Sequence, residues 1–465
     1  MTTNQVNERE LVLDILLEVN KNKIFSHQAI RMMLEKYQYL SKQERGFITR
    51  VAKGTIEWQI TEDYIIRQFS KVPVNKMKPV IREILRMSVY QIFYMDRVPD
   101  SAVCNEAVKL AQKRGFSGLK GFVNGVLRNI VRKKENITWI SKEKNLSQYL
   151  SVSYSMPEWI IKKWLQSYSE ETVEKMLQAF VKENKTAVRM ILEGTEEKQE
   201  QRRKEILESL KKDEVSVTEH PYFKNALQLS EYDYLEDLEA FEKGWIIVQD
   251  ISSMMTAKIA DPQKGDYCID VCAAPGGKSI HLAELLERTG MVEARDVSEY
   301  KIDLMEENIE RVGLKNIRTR LADGTKLEKE SIEKADMVLA DVPCSGLGVI
   351  GKKYDLKYNM SEDKIKEICA LQKKIVKNAA SYVKKGKTFV YSTCTINPEE
   401  NEKMVEWIEK NTDLKTVDLQ PFLDKNHEIS LPEDLYRNAK KGYLQFLPGI
   451  HESDGFFIAK FKKEK

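Results

Sequence analysis

Three short runs hold the residue types that could do covalent chemistry. Asp341-Val-Pro-Cys-Ser-Gly346 and Tyr391-Ser-Thr-Cys-Thr-Ile-Asn-Pro-Glu-Glu400 each carry a cysteine just beyond a β-type run. A cysteine attacks as its thiolate, so a thiol of ordinary pKa, ~8.5, must be activated by its setting. The competing reading is the commoner fate of a free cysteine, a small buried hydrophobe; beside these motifs it takes second place. Residue type alone does not choose between Cys344 and Cys394 for the attacking role. The third run, Cys268-Ile-Asp-Val-Cys-Ala-Ala-Pro-Gly-Gly-Lys278, leads a strand through a small-residue turn into a helix. Small residues and glycine let a ligand approach the backbone closely.

The turn is neither Gly-x-Gly-x-x-Gly nor Gly-x-x-x-x-Gly-Lys-Ser/Thr, which argues against a dinucleotide or triphosphate cradle. Asp296 lies 20 residues after Gly276, about where an acidic side chain grips ribose hydroxyls. Asp323, in Leu-Ala-Asp-Gly, and Asp341 end the next two strands. One such aspartate alone would be read as a loop or helix cap. Three at consecutive strand ends beside a Gly-Gly turn favour a ribosyl cofactor on a shared rim. Cys272, Ala273, Ala274, Pro275, Gly276 and Gly277 are the candidate backbone contacts. Lys278 either joins them or does no more than open its helix.

These residues need a scaffold that brings successive strand ends together. From about residue 244, short β-type runs alternate with amphipathic helices, the pattern of an open parallel sheet covered on both faces. The expected strands are Tyr267–Cys272, Met291–Asp296, Ile317–Leu321, Met337–Val342 and Thr388–Ser392, with closing strands near Leu444–Leu447 and Phe456–Phe461. In such sheets ligands bind beyond the carboxyl ends of the strands. Asn397 is expected to cap the next helix, with Pro398 in its first position.

Residues 5–135 read as helices. Leu11, Leu13, Ile15, Leu16 and Val19 form one apolar face, and Ile81, Ile84, Leu85, Ile92 and Phe93 another. Ser41-Lys-Gln-Glu44 spells a capping box, and Asp100 or Ser101 is the expected cap after Val98-Pro99. Residues 136–235 read as a small α/β connector. It has strands at Thr186–Ile191 and Val215–Thr218 and an exposed charged helix over Glu196–Lys212. The resulting domain boundaries are 1–138, 139–235 and 236–465.

Residues 1–135 hold 24 Lys and Arg against 14 Asp and Glu, while the whole chain has a net charge of only +3. A basic front module suits a polyanion such as nucleic acid, or lysines common on solvated helices. Six cysteines in 465 residues, with no Cys-x-x-Cys, exclude a disulfide framework. Cys104, Cys268 and Cys369 fall within helix or strand and are expected to be buried packing. Five scattered histidines offer no metal cluster. No apolar run approaches the ~20 residues of a membrane helix, and the opening Met1-Thr-Thr-Asn-Gln-Val lacks a secretory layout. A cytoplasmic monomer, without metal or membrane, is the expectation.

In this order, Ala273-Ala-Pro-Gly-Gly-Lys278, Asp341-Val-Pro-Cys-Ser-Gly346 and Ser392-Thr-Cys394 resemble the RNA 5-methylcytosine methyltransferase family. Asp454-Gly-Phe-Phe457 fits as well. Arg82-Glu-Ile-Leu-Arg-Met-Ser-Val-Tyr-Gln91, Val98-Pro-Asp-Ser-Ala-Val-Cys-Asn-Glu-Ala107 and Val123-Asn-Gly-Val-Leu-Arg128 resemble a NusB-like RNA-binding domain. The likeness covers nearly the whole chain, most weakly between 140 and 235. It implies a Rossmann-like class I methyltransferase fold behind an all-α NusB-like domain, with S-adenosyl-L-methionine as cofactor. It also implies methylation of cytosine carbon 5 in small-subunit ribosomal RNA. Cys394 would be the nucleophile, Cys344 the helper in product release, and Asp341 the group that bonds the cytosine edge, as a carboxylate or as the protonated acid.

A transfer RNA substrate is the alternative, against which the NusB-like front speaks. An RNA-binding assembly factor with a degenerate catalytic half is disfavoured by the intact cysteines and aspartates. A nucleotide-dependent oxidoreductase fails on the missing glycine fingerprint. Two places depart from the family: Arg295, where a small or apolar residue is usual, and Gly351-Lys-Lys-Tyr-Asp355, a loop expected to touch RNA.

Overall fold

The computed structural model describes residues 7–182, 185–425 and 429–464. Two compact units emerge, one of residues 1–181 with 350–359, the other of 182–349 with 360–465. Part of the sequence reading, the first six residues, lies outside the described residues.

The first unit is helical. Helices Glu8–Asn20, Lys42–Glu57, Gln59–Phe69, Pro79–Tyr94, Asp100–Lys113 and Lys120–Arg132 bury one apolar core that includes Leu13, Ile15, Leu16, Ile84 and Leu85. The expected capping box forms at Ser41 and Glu44. The helix after Pro99 differs from expectation. Pro99 is its N-cap with no side-chain cap bond, and Asp100 already lies in the first turn. Its carboxylate there favours the positive end of the helix dipole.

Residues 350–359 pack inside this unit, so the segment 351–355, expected as a loop touching RNA, is anchored there at its carboxyl end. The Asp355 carboxylate is buried and accepts both the Ser26 amide, at 3.2 Å, and the Ser26 hydroxyl, at 2.7 Å. Tyr354 joins the apolar core. Lys357 donates to the Glu57 carbonyl at 2.9 Å. Only Lys352 and Lys353 of the loop stay exposed.

The second unit has two sheets. The smaller is antiparallel, in order β2-β3-β1-β4, from β1 Thr186–Met190, β2 Ser216–Glu219, β3 Ala226–Ser230 and β4 Ile246–Val248. Two of these strands match the expected connector; β3 and β4 were not anticipated. The charged helix Glu196–Lys212 forms as expected, burying Ile206 and Leu210.

The larger sheet contains β5 Tyr267–Asp270, β6 Met291–Asp296, β7 Ile317–Leu321, β8 Ala335–Asp341, β9 Val383–Thr393, β10 Leu414–Thr416, β11 Tyr443–Phe446 and β12 Phe456–Lys463. Its order is β10-β12-β9-β8-β5-β6-β7, with β11 paired to β12. Strands β5 to β9 run parallel, and β12 pairs antiparallel with β9. From β5 the chain winds outward through β6 and β7, then returns to β8 on the other side. That reversal opens a crevice at the carboxyl ends of β5 and β8, where ligands bind in such sheets.

Arg295 on β6 is buried. It donates Nε to Glu293 at 2.7 Å and an Nη to Ser331 at 2.7 Å, and its guanidinium lies 5.3 Å from the Tyr382 ring centre. Residues two apart share a strand face, so the departure at Arg295 is absorbed by an ion pair within the strand. Among the described residues no helix is long and apolar enough to cross a membrane, and no cluster could hold a metal ion.

Candidate active site and cofactor pocket

The turn after β5 is built for close backbone approach. Gly276 is buried, with φ +101°, a region that disfavours any side chain. The helix Gly277–Leu285 starts immediately behind it. Asp296, at the end of β6, is buried. It accepts the Ala274 amide at 3.2 Å and the Val297 amide at 2.8 Å, with the Lys301 ammonium at 3.1 Å. It therefore ties the small-residue turn to the neighbouring strand end. Cys272 and Ala274 are half-buried, Ala273 is buried and Pro275 is exposed.

Asp341 is where the structure does most to specify a role. Lys278 donates to its Oδ2 at 2.7 Å, and Ser392 donates to its Oδ1 at 2.7 Å. Two donors, one to each oxygen, are the pattern of a carboxylate. Burial works against the Lys278 ammonium, but Asp341, and further off Asp270 and Cys394, outweigh it and raise its pKa. Lys278 Nζ also lies 5.1 Å from the ring centre of Phe456, at the start of β12. Lys278 thus links the cofactor turn to the Asp-Val-Pro-Cys motif.

Cys344 and Cys394 come together, with their sulfurs 3.1 Å apart; both are half-buried and unbridged. The contact with Cys394 and then burial push the Cys344 thiol well up, so Cys344 keeps its proton. The Gly348 amide donates to the Cys394 carbonyl at 3.1 Å, and the Gly455 amide to the Gly348 carbonyl at 2.9 Å. The loop bearing Cys344 is thereby stitched to both β9 and β12.

Asp323 stands apart. Its Oδ1 accepts the Thr325 amide at 2.9 Å and hydroxyl at 2.6 Å, in a local turn. Those bonds hold its carboxyl below the usual range. It is half-buried at the end of β7, the next strand after the one ending in Asp296.

One polar residue at the site was not singled out from sequence. Asp270, fully buried at the end of β5, accepts the Ser279 hydroxyl at 2.6 Å and so fastens the turn to its helix. Burial pushes its pKa up to about 7. The available signal was a lone carboxyl in Cys268-Ile-Asp-Val271, an apolar strand leading straight into the turn. Asn397 does not cap the following helix, which begins at Glu402 behind Asn401. Its amide is engaged by Glu400 instead, at 2.9 Å.

A profile described as 16S rRNA methyltransferase RsmB/F matches residues 257–462. The NusB family profile matches residues 6–132, and an RsmF/B-like ferredoxin-like domain profile matches 156–233. A protein of Bacillus subtilis called probable ribosomal RNA small subunit methyltransferase B is 33% identical over 458 residues, covering 98% of each chain. One of the same description from Synechocystis is 33% identical over 461 residues, covering 98% of this chain and all of its own. The crystal structure of PH0851 covers 99% of both chains at a TM-score of 0.78 and 26% identity. A methyltransferase homologue from Pyrococcus horikoshii, 26% identical, covers 69% of this chain and 99% of its own at a TM-score of 0.56. With these matches spanning its length, the chain belongs to the 16S rRNA methyltransferase RsmB/F family.

Proposed function

We propose that this RNA methyltransferase transfers a methyl group from S-adenosyl-L-methionine to carbon 5 of a cytosine in small-subunit ribosomal RNA. The transfer proceeds through a covalent Cys394 adduct. The observation that carries the reading is the pair of half-buried thiols in contact beside Asp341 with its two donors. In this reading residues 1–138 bind RNA, 139–235 connect, and 236–465 carry the chemistry.

The pocket suits that cofactor. The small-residue turn admits a ligand, and the nearby ammonium groups of Lys278 and Lys301 are engaged by Asp341 and Asp296. Carboxylates of Asp296, Asp323 and Asp341 at the strand ends favour a ligand that is cationic and carries ribose hydroxyls. S-adenosyl-L-methionine supplies an electrophilic methyl on a sulfonium. Cys272, Ala273, Ala274, Pro275, Gly276 and Gly277 would meet it through the backbone. Asp296 and Asp323 would hold its ribose and adenine.

Cytosine carbon 5 is too weak a nucleophile to take a methyl group unaided. Bonding of the Cys394 sulfur to carbon 6 would make the ring enamine-like, so that carbon 5 can take the methyl as its bond to the sulfonium sulfur breaks and a neutral thioether leaves. Loss of the carbon-5 proton breaks the sulfur–carbon bond and expels Cys394. The hard step is divided into easier ones. Each Asp341 oxygen keeps a lone pair beyond its present donor, and these can accept from the cytosine amino group. Cys344, protonated and touching Cys394, is placed to assist the expulsion.

Tritium from labelled cofactor should appear in unmodified small-subunit RNA. No incorporation, under conditions where the cofactor binds, would sink the reading. Cys344→Ala should accumulate a denaturant-resistant protein–RNA adduct and Cys394→Ala should form none; the reverse result would exchange their roles. Mapping 5-methylcytosine with and without the protein tests the substrate, and label confined to transfer RNA would overturn it.

A further inference from the structure

Glu400 is a fully buried carboxylate that the chemistry above does not use. Four neutral donors surround it, and no cation pairs with it among the described residues. Oε2 accepts the Ser345 amide at 2.8 Å and the Gln372 amide group at 3.1 Å. Oε1 accepts the Ser345 hydroxyl and, at 2.9 Å, the Asn397 amide group. Ser345 follows Cys344, and Asn397 lies three residues beyond Cys394. Gln372 also donates to the Pro343 carbonyl at 2.9 Å, one residue before Cys344. The Ser345 hydroxyl lies 2.8 Å from that of Thr395, the residue after Cys394. The Glu400 backbone is itself anchored, its carbonyl accepting the Tyr391 hydroxyl at 2.7 Å.

A buried, unpaired carboxylate is an expensive way to fill space. An apolar side chain would pack there at less cost, unless several donors need one shared acceptor. Here the donors come from both cysteine-bearing loops and from the helix Glu362–Tyr382. An ionised carboxylate accepts on both oxygens and donates nothing, so it alone among side chains of this size satisfies all four. An amide would turn its NH2 towards two donors.

We propose that Glu400 is a positioning residue, a buried carboxylate pin that joins the Cys344 loop to the Cys394 loop and sets the contact between the two sulfurs. The proposal rests on the reading of those cysteines as the reacting pair. Its geometric part does not depend on it. Glu400 touches neither sulfur through any hydrogen bond; it acts through Ser345, Asn397 and Gln372. Its charge works in the same direction, since it is among the groups that keep the Cys344 thiol protonated.

The test uses the full-length protein and Glu400→Gln, with Ser345→Ala as a second variant that removes one hydroxyl contact should the first fail to fold. Diamide, which removes the two thiol hydrogens as it is reduced, should bridge Cys344 to Cys394 readily in the parent protein. In either variant bridging should slow at least fivefold relative to the parent protein. Turnover should fall by up to about 100-fold, the scale of a 1 Å misplacement, with KM for cofactor and RNA within twofold. A variant that loses thermal stability yet keeps parental bridging and turnover would show a merely structural Glu400 and overturn the proposal. The bridging readout needs no substrate. If the parent protein methylates no RNA, the functional reading fails while the pin is still tested.

Discussion

Replacing Lys278 with methionine keeps the apolar stem against Phe456 and removes the charge that faces Asp341. At 2.7 Å and an effective dielectric of 20, the gross attraction is about 6 kcal/mol. Desolvation takes back much of it, because the two side chains are only 14% and 25% exposed. Removing one partner of a buried pair costs about 3–5 kcal/mol. Asp341 keeps the Ser392 hydroxyl and a quarter of its surface, so a loss of roughly 2–3 kcal/mol is expected for Lys278→Met. The double variant Lys278→Met/Asp341→Asn should recover most of it, leaving a coupling of about 2 kcal/mol. Urea unfolding of the four proteins measures this directly. Lys278 also attracts the Cys394 thiolate, so iodoacetamide should alkylate Cys394 more slowly in Lys278→Met at neutral pH. A coupling below about 0.5 kcal/mol together with unchanged alkylation would refute the view that Lys278 holds the two motifs together.

Three further perturbations probe other parts of the site. Burial raises Asp270 to about 7, whereas the unfolded chain ionises near 3.9. The native state therefore holds its proton longer, and stability falls as pH rises from about 4 to about 7 and then levels. Asp270→Asn has no proton to lose and should gain on the parent by roughly 4 kcal/mol between pH 4 and 8; a pH-independent difference in urea unfolding would count against the assignment. Gly276→Ala places a Cβ 3.4 Å from Met305 Cγ at φ +101°, which should cost about 1–2 kcal/mol and weaken cofactor binding in calorimetry; parental affinity would show that the turn tolerates a side chain. Gly348→Ala sets a Cβ 1.9 Å from the Gly455 carbonyl oxygen, a backbone clash expected to cost about 1–3 kcal/mol and to slow methylation. Unaltered melting and turnover would mean that the Cys344 loop is not braced against β12.

Strand positions were legible from sequence because buried parallel strands are short apolar runs, although β5 and β8 stop at Asp270 and Asp341, short of the expected Cys272 and Val342. The antiparallel partners β3 and β4 were not. β4 is three residues long and pairs with β1 across more than fifty residues of chain, so no local period announces it. Asn397-Pro398 spells a helix start, yet the helix begins at Glu402. The Asn397 Oδ1 still accepts the Glu399 amide, at 3.4 Å, but the chain there makes only a turn, and the helix starts behind Asn401. The anchoring of the 351–355 loop was equally invisible: Asp355 finds the Ser26 amide and hydroxyl more than three hundred residues away in sequence.

The three rim aspartates show most clearly what sequence omits. In sequence Asp296, Asp323 and Asp341 are alike: each ends a strand and each suits a ligand hydroxyl. In the structure they differ by what packs opposite. Asp296 turns inward to the Ala274 amide and shapes the turn. Asp341 meets an ammonium on the helix behind that turn and a hydroxyl on β9, so it couples the pocket to the thiols. Asp323 folds back on its own turn at Thr325. A carboxylate whose donors come from two other chain segments resists movement by a ligand, while one held by its own turn can exchange those bonds for a ligand's. Under the proposed function the roles would then divide: Asp341 is held to orient a base, Asp296 supports the turn while meeting the ribose, and Asp323 adjusts when the pocket fills.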